Sequence, residues 1–400
     1  MAAETLASNG IKVTVYERMP RVARKLLLAG RGGLNLTHSE PLETFLTRYR
    51  DAAPRLSSAI RSFPPDMLRA WSEALGQETF VGSSGRVFPR AMKTSPLLRA
   101  WLERLTNLGV TFKLSHRWRG WDNEKRLLFD TPDGEIAVEA SSTVLALGGG
   151  SWPRLGSDAS WVAPLEGEGI SVSPLAASNA GVIVRWSEIF ATRFAGSPLK
   201  RIAFTLGSET ARGEALITTA GLEGGAVYAL ASPIRNALHA NGEAVLVLDL
   251  RPDETTEALL QKLLAKQRGK QSFATYLRKT LNLDPAAVGL LQEAAHAEGL
   301  HLSALSPDAI AARIKSIPVR ITGLASMNRA ISTAGGVAFD ELDDAFMLRK
   351  RPGTFVAGEM LDWDAPTGGY LLQASFATGR AAALGALAYL AQSANTEQRD

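Results

Sequence analysis

Within the first 17 residues, the spacing of hydrophobic positions changes from a helical period to the alternation of a strand. Residues 1–10 (MAAETLASNG) carry apolar positions at helical spacing and end on Gly10, which predicts the back half of a helix. Residues 11–16 (IKVTVY) alternate and are rich in Val and Ile, which predicts a strand that ends at the acid Glu17. A helix followed by a strand with a terminal acid is typical of the second half of a dinucleotide-binding βαβ unit.

The next stretch of the chain mixes helical periods with short strands. Residues 54–76 have helical spacing, and so has the segment from Ser95 to Leu108, where Ser95 is predicted as the N-cap and Pro96 as the first helical residue. A short strand is predicted over 84–90, and a hairpin turns at the Pro-Asp-Gly of 132–134.

The pattern along the whole chain predicts an α/β protein with an interrupted nucleotide-binding domain. Glycine-rich strand ends occur near both termini, whereas the pattern in the middle of the chain predicts first β structure and then helices. We therefore predict a first part of the nucleotide-binding domain over 1–172 and a second part over 331–400. The insertion over 173–330 divides into a β part (173–252) and a helical part (253–317).

Composition excludes several classes of protein. The 400 residues contain no cysteine, which excludes a disulfide framework, a thiolate metal site and a dithiol flavin disulfide reductase. The five histidines form no H-x-x-x-H pair, so no metal site is predicted. The start shows no secretory signal, and the longest apolar stretch (381–391) is too short to cross a bilayer, so we expect a cytoplasmic protein without a membrane partner.

Glu17 and the segment 29–38 (AGRGGLNLTH) are the candidate cofactor residues of the N-terminal half. An acid at the end of the second strand can accept hydrogen bonds from both hydroxyls of an adenosine ribose, although a solvated charge at a strand end is the simpler alternative. Consecutive glycines let backbone N–H groups converge on an anion, with Lys25 and Arg31 as nearby cations and Asn35 and Thr37 as hydrogen-bonding side chains.

Two later segments offer strand ends of the same kind. Residues 143–152 (TVLALGGGSW) read as a buried strand running into three glycines, although a simple tight turn explains this segment equally well. Residues 353–379 contain a strand that meets Gly358 and Glu359, whose carboxylate suits a polyol such as the ribityl chain of a flavin. Thr367–Gly369 then opens a helix, whose N–H groups can stabilise negative charge at N1 of a flavin.

The order of these motifs resembles one family. The segments YERMPRVARKLLLAGRGGLNLTH, SGRVFPR, LALGGGSWPRLGS, TTAGLEGGAVYAL, ISTAGGVAF and AGEMLDWDAPTGGYLLQASFATG follow the order found in YhiN-like (BaiN/RdsA-type) NAD(P)/FAD-dependent oxidoreductases. The resemblance implies a glutathione-reductase-like FAD-binding Rossmann domain that is interrupted by a β-barrel-like plus helical domain.

The resemblance also implies roles for particular residues. Glu17 would meet the adenosine ribose, residues 31–33 would line the path from pyrophosphate to flavin, and Glu359 would hold the ribityl chain, while residues 369–371 would face the pyrimidine edge of the flavin. No catalytic residue is assigned. The full predicted cofactor-binding set is Glu17, Arg18, Lys25, Gly30, Arg31, Gly32, Gly33, Asn35, Leu36, Thr37, Ala146, Gly148, Gly149, Gly358, Glu359, Asp362, Gly368, Gly369, Tyr370 and Leu371.

The chain departs from the family pattern at two places. Many family members carry a cysteine where this chain has Leu34, so any role of that thiol is absent here. Relatives also carry a first strand and a G-G-G-x-A-G loop before the helix that opens this chain. We therefore expect that Met1 is an internal methionine, that roughly 15–20 residues of a βα turn precede it, and that the chain as given binds FAD poorly or is unstable.

The predicted function is that of a flavoprotein oxidoreductase. FAD would take hydride from a transiently bound NAD(P)H and pass it to an unidentified acceptor, with reduction of a C=C bond as one outcome. An alternative is an RNA-binding flavoprotein that forms dihydrouridine in ribosomal RNA, or a degenerate, non-catalytic binding module. The net charge of +4 and the basic runs 117–126 and 193–201 are compatible with RNA, but an ordinary solvated surface explains them better. The substrate is a small molecule or RNA, and no stable protein partner is predicted.

Overall fold

The structure is a computed structural model that describes residues 1–30 and 32–397. It separates into two compact units. The first consists of Met1–Ala177 together with Met327–Asp400, and the second of Ser178–Ser326. The second unit therefore lies, along the chain, between the two parts of the first.

The helices and strands of the described residues are numbered in chain order. The α-helices are α1 Ala2–Ser8, α2 Arg24–Ala29, α3 Leu42–Thr47, α4 Ala53–Ser62, α5 Pro65–Glu73, α6 Thr94–Asn107, α7 Val162–Gly167, α8 Glu188–Phe194, α9 Gly225–Tyr228, α10 Ala231–Asn241, α11 Thr256–Ala265, α12 Phe273–Leu281, α13 Pro285–Ala297, α14 Pro307–Lys315 and α15 Tyr370–Glu397. The strands are β1 Thr14–Glu17, β2 Thr37–His38, β3 Thr79–Val81, β4 Arg86–Pro89, β5 Thr111–Leu114, β6 Arg117–Trp121, β7 Leu127–Thr131, β8 Gly134–Val138, β9 Thr143–Leu145, β10 Val172–Ser178, β11 Val182–Val184, β12 Pro198–Leu206, β13 Glu209–Ile217, β14 Gly221–Glu223, β15 Ala244–Asp249, β16 Ile317–Leu324, β17 Ser332–Val337 and β18 Thr354–Val356.

Two pairs of parallel strands position the candidate site in the first unit. Strand β1 pairs with β5, with Glu17 opposite Leu114 at the carboxyl end. Strand β18 pairs with β9, with Val356 opposite Leu145. Because paired parallel strands end at the same edge, the glycine segments that follow β9 and β18 leave the sheet side by side. These parallel pairs and their helices confirm the predicted α/β class.

The long helix α15 packs on the core of the first unit. Its buried face carries small residues, including Ala374, Ala377 and Ala382, which allow close approach of α4 and α1. The core beneath it includes Phe355 and Leu36. Burial of this face fixes the start of α15, where the site residues 368–371 lie.

The second unit contains the predicted barrel. Six antiparallel strands close in the order β11-β14-β13-β12-β15-β16. Alternate residues of these strands, among them Phe204, Leu246 and Ile321, point into a core that is fully buried. Helices α8 and α10–α14 contribute to the same core, so the β-barrel-like plus helical architecture is confirmed.

Two local predictions about helices are wrong. The single helical stretch over 54–76 is two helices, α4 and α5, because the chain leaves helical geometry at Phe63 and Pro64. Ser95 does not cap α6, which begins one residue earlier at Thr94 after an extended Lys93. Pro96 is therefore the third helical residue, a position where the missing N–H has no intrahelical acceptor to lose.

Candidate functional site

The end of strand β1 carries Glu17, the residue predicted to meet the adenosine ribose. The Glu17 carboxylate accepts a hydrogen bond from the Met19 N–H at 2.8 Å. Burial raises the pKa of Glu17, although backbone N–H groups and the charge of Arg18 act to lower it. Arg18 itself forms an ion pair with Asp158, a residue that sequence reasoning did not single out.

Lys25 and Glu359 meet in direct contact, although they are 334 residues apart in sequence. The Lys25 Nζ lies 2.6 Å from Glu359 Oε2 and 2.7 Å from the Ser151 hydroxyl. The other carboxylate oxygen of Glu359 accepts the Thr333 N–H at 2.9 Å. The Gly149 N–H donates to Glu359 Oε2 at 3.3 Å.

The loop after the three glycines links these two groups of residues. The Gly149 carbonyl accepts hydrogen bonds from the Ser157 hydroxyl at 3.0 Å and the Ala159 N–H at 3.2 Å. Asp158, between those two donors, holds Arg18. A continuous chain of contacts therefore runs from Arg18, next to Glu17, to Glu359.

The glycine-rich segment lines a cleft. Gly30, Gly32 and Gly33 form part of a cavity of about 440 Å³, whose remaining lining is Leu27, Met92, Lys93, Thr94 and Ser95. Gly32 and Gly33 have φ values of +87° and +127°, which glycine adopts without strain. Arg31 lies outside the described residues.

Strand β2 and the segment after it contact the start of α15. A Cβ on Gly369 would lie 2.4 Å from the Thr37 carbonyl carbon, so only glycine permits this approach. The phenol of Tyr370 is buried and donates to Glu40 at 2.7 Å, while the Tyr49 hydroxyl donates to the Tyr370 carbonyl at 2.8 Å. The contacts of Tyr370 thus fix the helix start against the segment 37–49.

The remaining predicted residues lie in the same unit. Gly148 accepts the Trp161 indole N–H at 2.8 Å, and the Gly358 N–H donates to Thr378 at 3.0 Å. The Asp362 carboxylate accepts the Ser173 hydroxyl at 2.6 Å and is therefore already engaged. Leu36 is part of the core, Ala146 is exposed, Gly368 adjoins Tyr370, and Leu371 is half-buried.

Three unpaired polar atoms test whether the site suits a flavin nucleotide. Asn35 Oδ1, Thr37 Oγ1 and Gln373 Oε1 are buried and have no hydrogen-bond partner among the residues that the structure describes. Buried polar atoms without partners are rare in folded proteins and indicate a missing ligand or water. The flavin pyrimidine ring offers both donors and acceptors, and the two carboxylates suit polyol hydroxyls. The residues present therefore fit FAD.

Several residues at the site were missed from sequence. Ser151 directly follows the glycine triplet, and Thr333 belongs to the glycine motif at 331–336, so both adjoin motifs that were recognised. Asp158 carries no local signal, and Gln373 lies within the motif at 353–379 but was not singled out there. Their positions depend on loop and helix packing that one sequence does not reveal.

The family model for the "HI0933-like protein Rossmann domain" matches residues 1–385. The chain belongs to this family. Membership confirms the predicted YhiN-like resemblance and the Rossmann fold, and with them the predicted class of enzyme, an FAD-dependent oxidoreductase.

Two similar proteins are informative about this family member. A 3-dehydro-bile acid delta(4,6)-reductase from Clostridium scindens is 25% identical over 388 residues, covering 94% of this chain and 93% of the relative. The crystal structure of a 3-ketosteroid delta1-dehydrogenase from Sterolibacterium denitrificans, in complex with 1,4-androstadiene-3,17-dione, superposes with a TM-score of 0.50 at 12% identity. It covers 97% of both chains and supports the fold alone.

Across residues 1–30 and 32–397, each helix is too short or too polar to cross a bilayer.

Proposed function

We propose that this HI0933-like chain uses FAD to transfer hydride from NAD(P)H to a C=C bond of a small-molecule acceptor, as a cytoplasmic enzyme. One observation carries the proposal. The N-terminal segment that contains Lys25 and the C-terminal segment that contains Glu359 meet within 2.6 Å, at the edge where β9 and β18 end. Ligands of open α/β sheets bind at that edge.

The chain offers a separate group for each part of the nucleotide. We assign the adenosine ribose to the carboxylate of Glu17, and the ribityl chain to Glu359. We assign the diphosphate to the cleft lined by Gly30, Gly32 and Gly33, where the absence of side chains lets an anion approach the backbone. When bound, FAD supplies the two-electron hydride chemistry that no side chain of the protein can perform.

The start of α15 tunes the electrostatics of the site. The first N–H groups of a helix have no intrahelical acceptor, and the helix dipole adds positive potential there. Gly368 and Gly369, at φ +137° and +99°, lead the chain into this helix start without side chains. We assign these N–H groups to the pyrimidine edge of the flavin, where they would stabilise negative charge near N1.

A small alkene acceptor is favoured over RNA by two considerations. The C. scindens relative is by name a bile-acid delta(4,6)-reductase, and its similarity extends over nearly the whole chain. In the basic run at 117–126, two of the four cations are also paired, because Arg119 pairs with Asp130 and Arg126 pairs with Asp122. Paired cations on a surface offer less attraction to phosphates than free ones.

The test uses the purified chain supplied with excess FAD. A visible absorption spectrum reports bound flavin, and anaerobic titration with NADH and NADPH reports its reduction. We expect one nicotinamide to bleach the flavin and a steroid-like conjugated enone to restore the colour. A folded, colourless protein that takes up no added FAD would overturn the proposal. Reoxidation by ribosomal RNA and not by enones would favour the RNA alternative, and binding of flavin without any reduction would favour a non-catalytic module.

A further inference from the structure

Lys25 has an unusual environment for a cofactor-binding lysine. Its side chain is only 28% exposed, and its ammonium group contacts the carboxylate of Glu359, whose side chain is 17% exposed. Its second partner, Ser151, is fully buried. Both contacts are to the protein, so the charge of Lys25 is already committed to Glu359.

The hydrogen-bond capacity of the pair leaves room for a ligand. An ammonium group has three donors, and Lys25 uses two of them, on Ser151 and Glu359. A carboxylate has about four acceptor positions, and Glu359 uses three, for Lys25, Gly149 and Thr333. Glu359 can therefore accept one further hydrogen bond, in an orientation that its three donors fix.

Charge explains why a cation is needed at this position. The diphosphate of FAD is anionic, and a half-buried, unpaired carboxylate in the same site would repel it. A lysine paired with the carboxylate cancels that repulsion without contacting the phosphates.

We propose that Lys25 is a positioning residue that neutralises and orients Glu359, so that an anionic dinucleotide can bind beside an acid that holds its polyol. This inference rests on the proposed FAD site. It differs from the simpler expectation that Lys25 is itself a phosphate ligand.

The two roles are separated by a double-mutant cycle on FAD affinity. FAD binding to the full chain is measured by quenching of flavin fluorescence for the wild type, Lys25→Met, Glu359→Gln and the double variant. We expect Lys25→Met to weaken binding about tenfold, from the repulsion of an unpaired carboxylate. Lys25→Met should weaken FAD binding much less in the Glu359→Gln background than in the wild type, because the repelling charge is absent there. Lys25→Arg should bind within a few-fold of the wild type.

Each outcome has one meaning. A loss from Lys25→Met that is equal in the wild-type and Glu359→Gln backgrounds would show that Lys25 contacts the phosphates directly and would overturn the inference. A wild-type chain that binds no FAD would overturn the proposed function, and this inference with it. If Lys25→Met does not fold, as judged by near-UV circular dichroism, Lys25→Gln replaces it, because glutamine keeps hydrogen bonds but not the charge. The same rescue by Glu359→Gln is then required.

Discussion

The contact between Gly369 and Thr37 makes a sharp prediction about stability. Gly369 has φ +99°, a backbone conformation that residues with a side chain rarely adopt. A Cβ at this position would lie 2.4 Å from the Thr37 carbonyl carbon and 2.5 Å from its Cα and carbonyl oxygen. The substitution Gly369→Ala therefore forces the start of α15 away from β2.

Two separate effects determine how much Gly369→Ala lowers the free energy of unfolding. Placing alanine at a positive φ costs about 1–2 kcal/mol. Overpacking against a backbone that cannot rotate away costs about 1–3 kcal/mol more. Gly109 provides a matched control, because it has φ +78° in the same unit but nothing within 4 Å of its Cβ position. Gly109→Ala should therefore be destabilised only by the positive φ, by about 1–2 kcal/mol.

Urea unfolding followed by tryptophan fluorescence measures the difference. All of the eight tryptophans except Trp186 lie in the first unit, so the signal reports mainly on that unit. We expect the midpoint for Gly369→Ala to fall below that of Gly109→Ala by roughly 0.5–1 M urea. Equal midpoints for the two variants would refute the argument that the close approach to Thr37 is what requires glycine.

Three further predictions concern pH dependence and the barrel. Burial raises the pKa of Glu17 in the free protein, whereas ribose hydroxyls would donate hydrogen bonds to its ionised form. The affinity for FAD should therefore rise with pH through a range above the ordinary pKa of 4.5. If the affinity of the wild type changes as little with pH as that of Glu17→Gln, the assignment of Glu17 to the ribose is contradicted. Burial acts to raise the pKa of Glu40, but hydrogen bonds from Arg48 and Tyr370 hold it below its usual range. Ionised Glu40 should therefore stabilise the fold above pH 4.5, and this stabilisation should be lost as the pH falls through the lowered pKa of Glu40. When the unfolding midpoint is measured at decreasing pH, Tyr370→Phe should show a smaller loss than the wild type. Phe204 is fully buried in the barrel, so its truncation to alanine should lower the free energy of unfolding by about 3–5 kcal/mol. A decrease below about 1 kcal/mol in chemical unfolding monitored by circular dichroism would argue against the position of Phe204 in the core.

Sequence patterns predicted the elements whose signals are local. The Pro-Asp-Gly at 132–134 gives the turn between β7 and β8, where Thr131 pairs with Gly134. The glycine pair at 368–369 marks the start of α15 because glycine is needed where the chain enters the helix at positive φ. The strand predicted over 11–16 was found over Thr14–Glu17, so its existence and its terminal acid were right while its start was not. Boundaries failed where two signals competed, as at Pro64 and at Ser95.

What the sequence by itself determined is the set of local structures and the chemical types of residue at the strand ends. Turn glycines, alternation and helical spacing act between near neighbours, so one chain is enough to read them. The tertiary structure alone decided which side chains at those strand ends meet. The Lys25–Glu359 pair, the Arg18–Asp158 pair and the Gly369–Thr37 contact join segments far apart in the chain. Such contacts depend on how buried surfaces pack, and no spacing between residues encodes that packing.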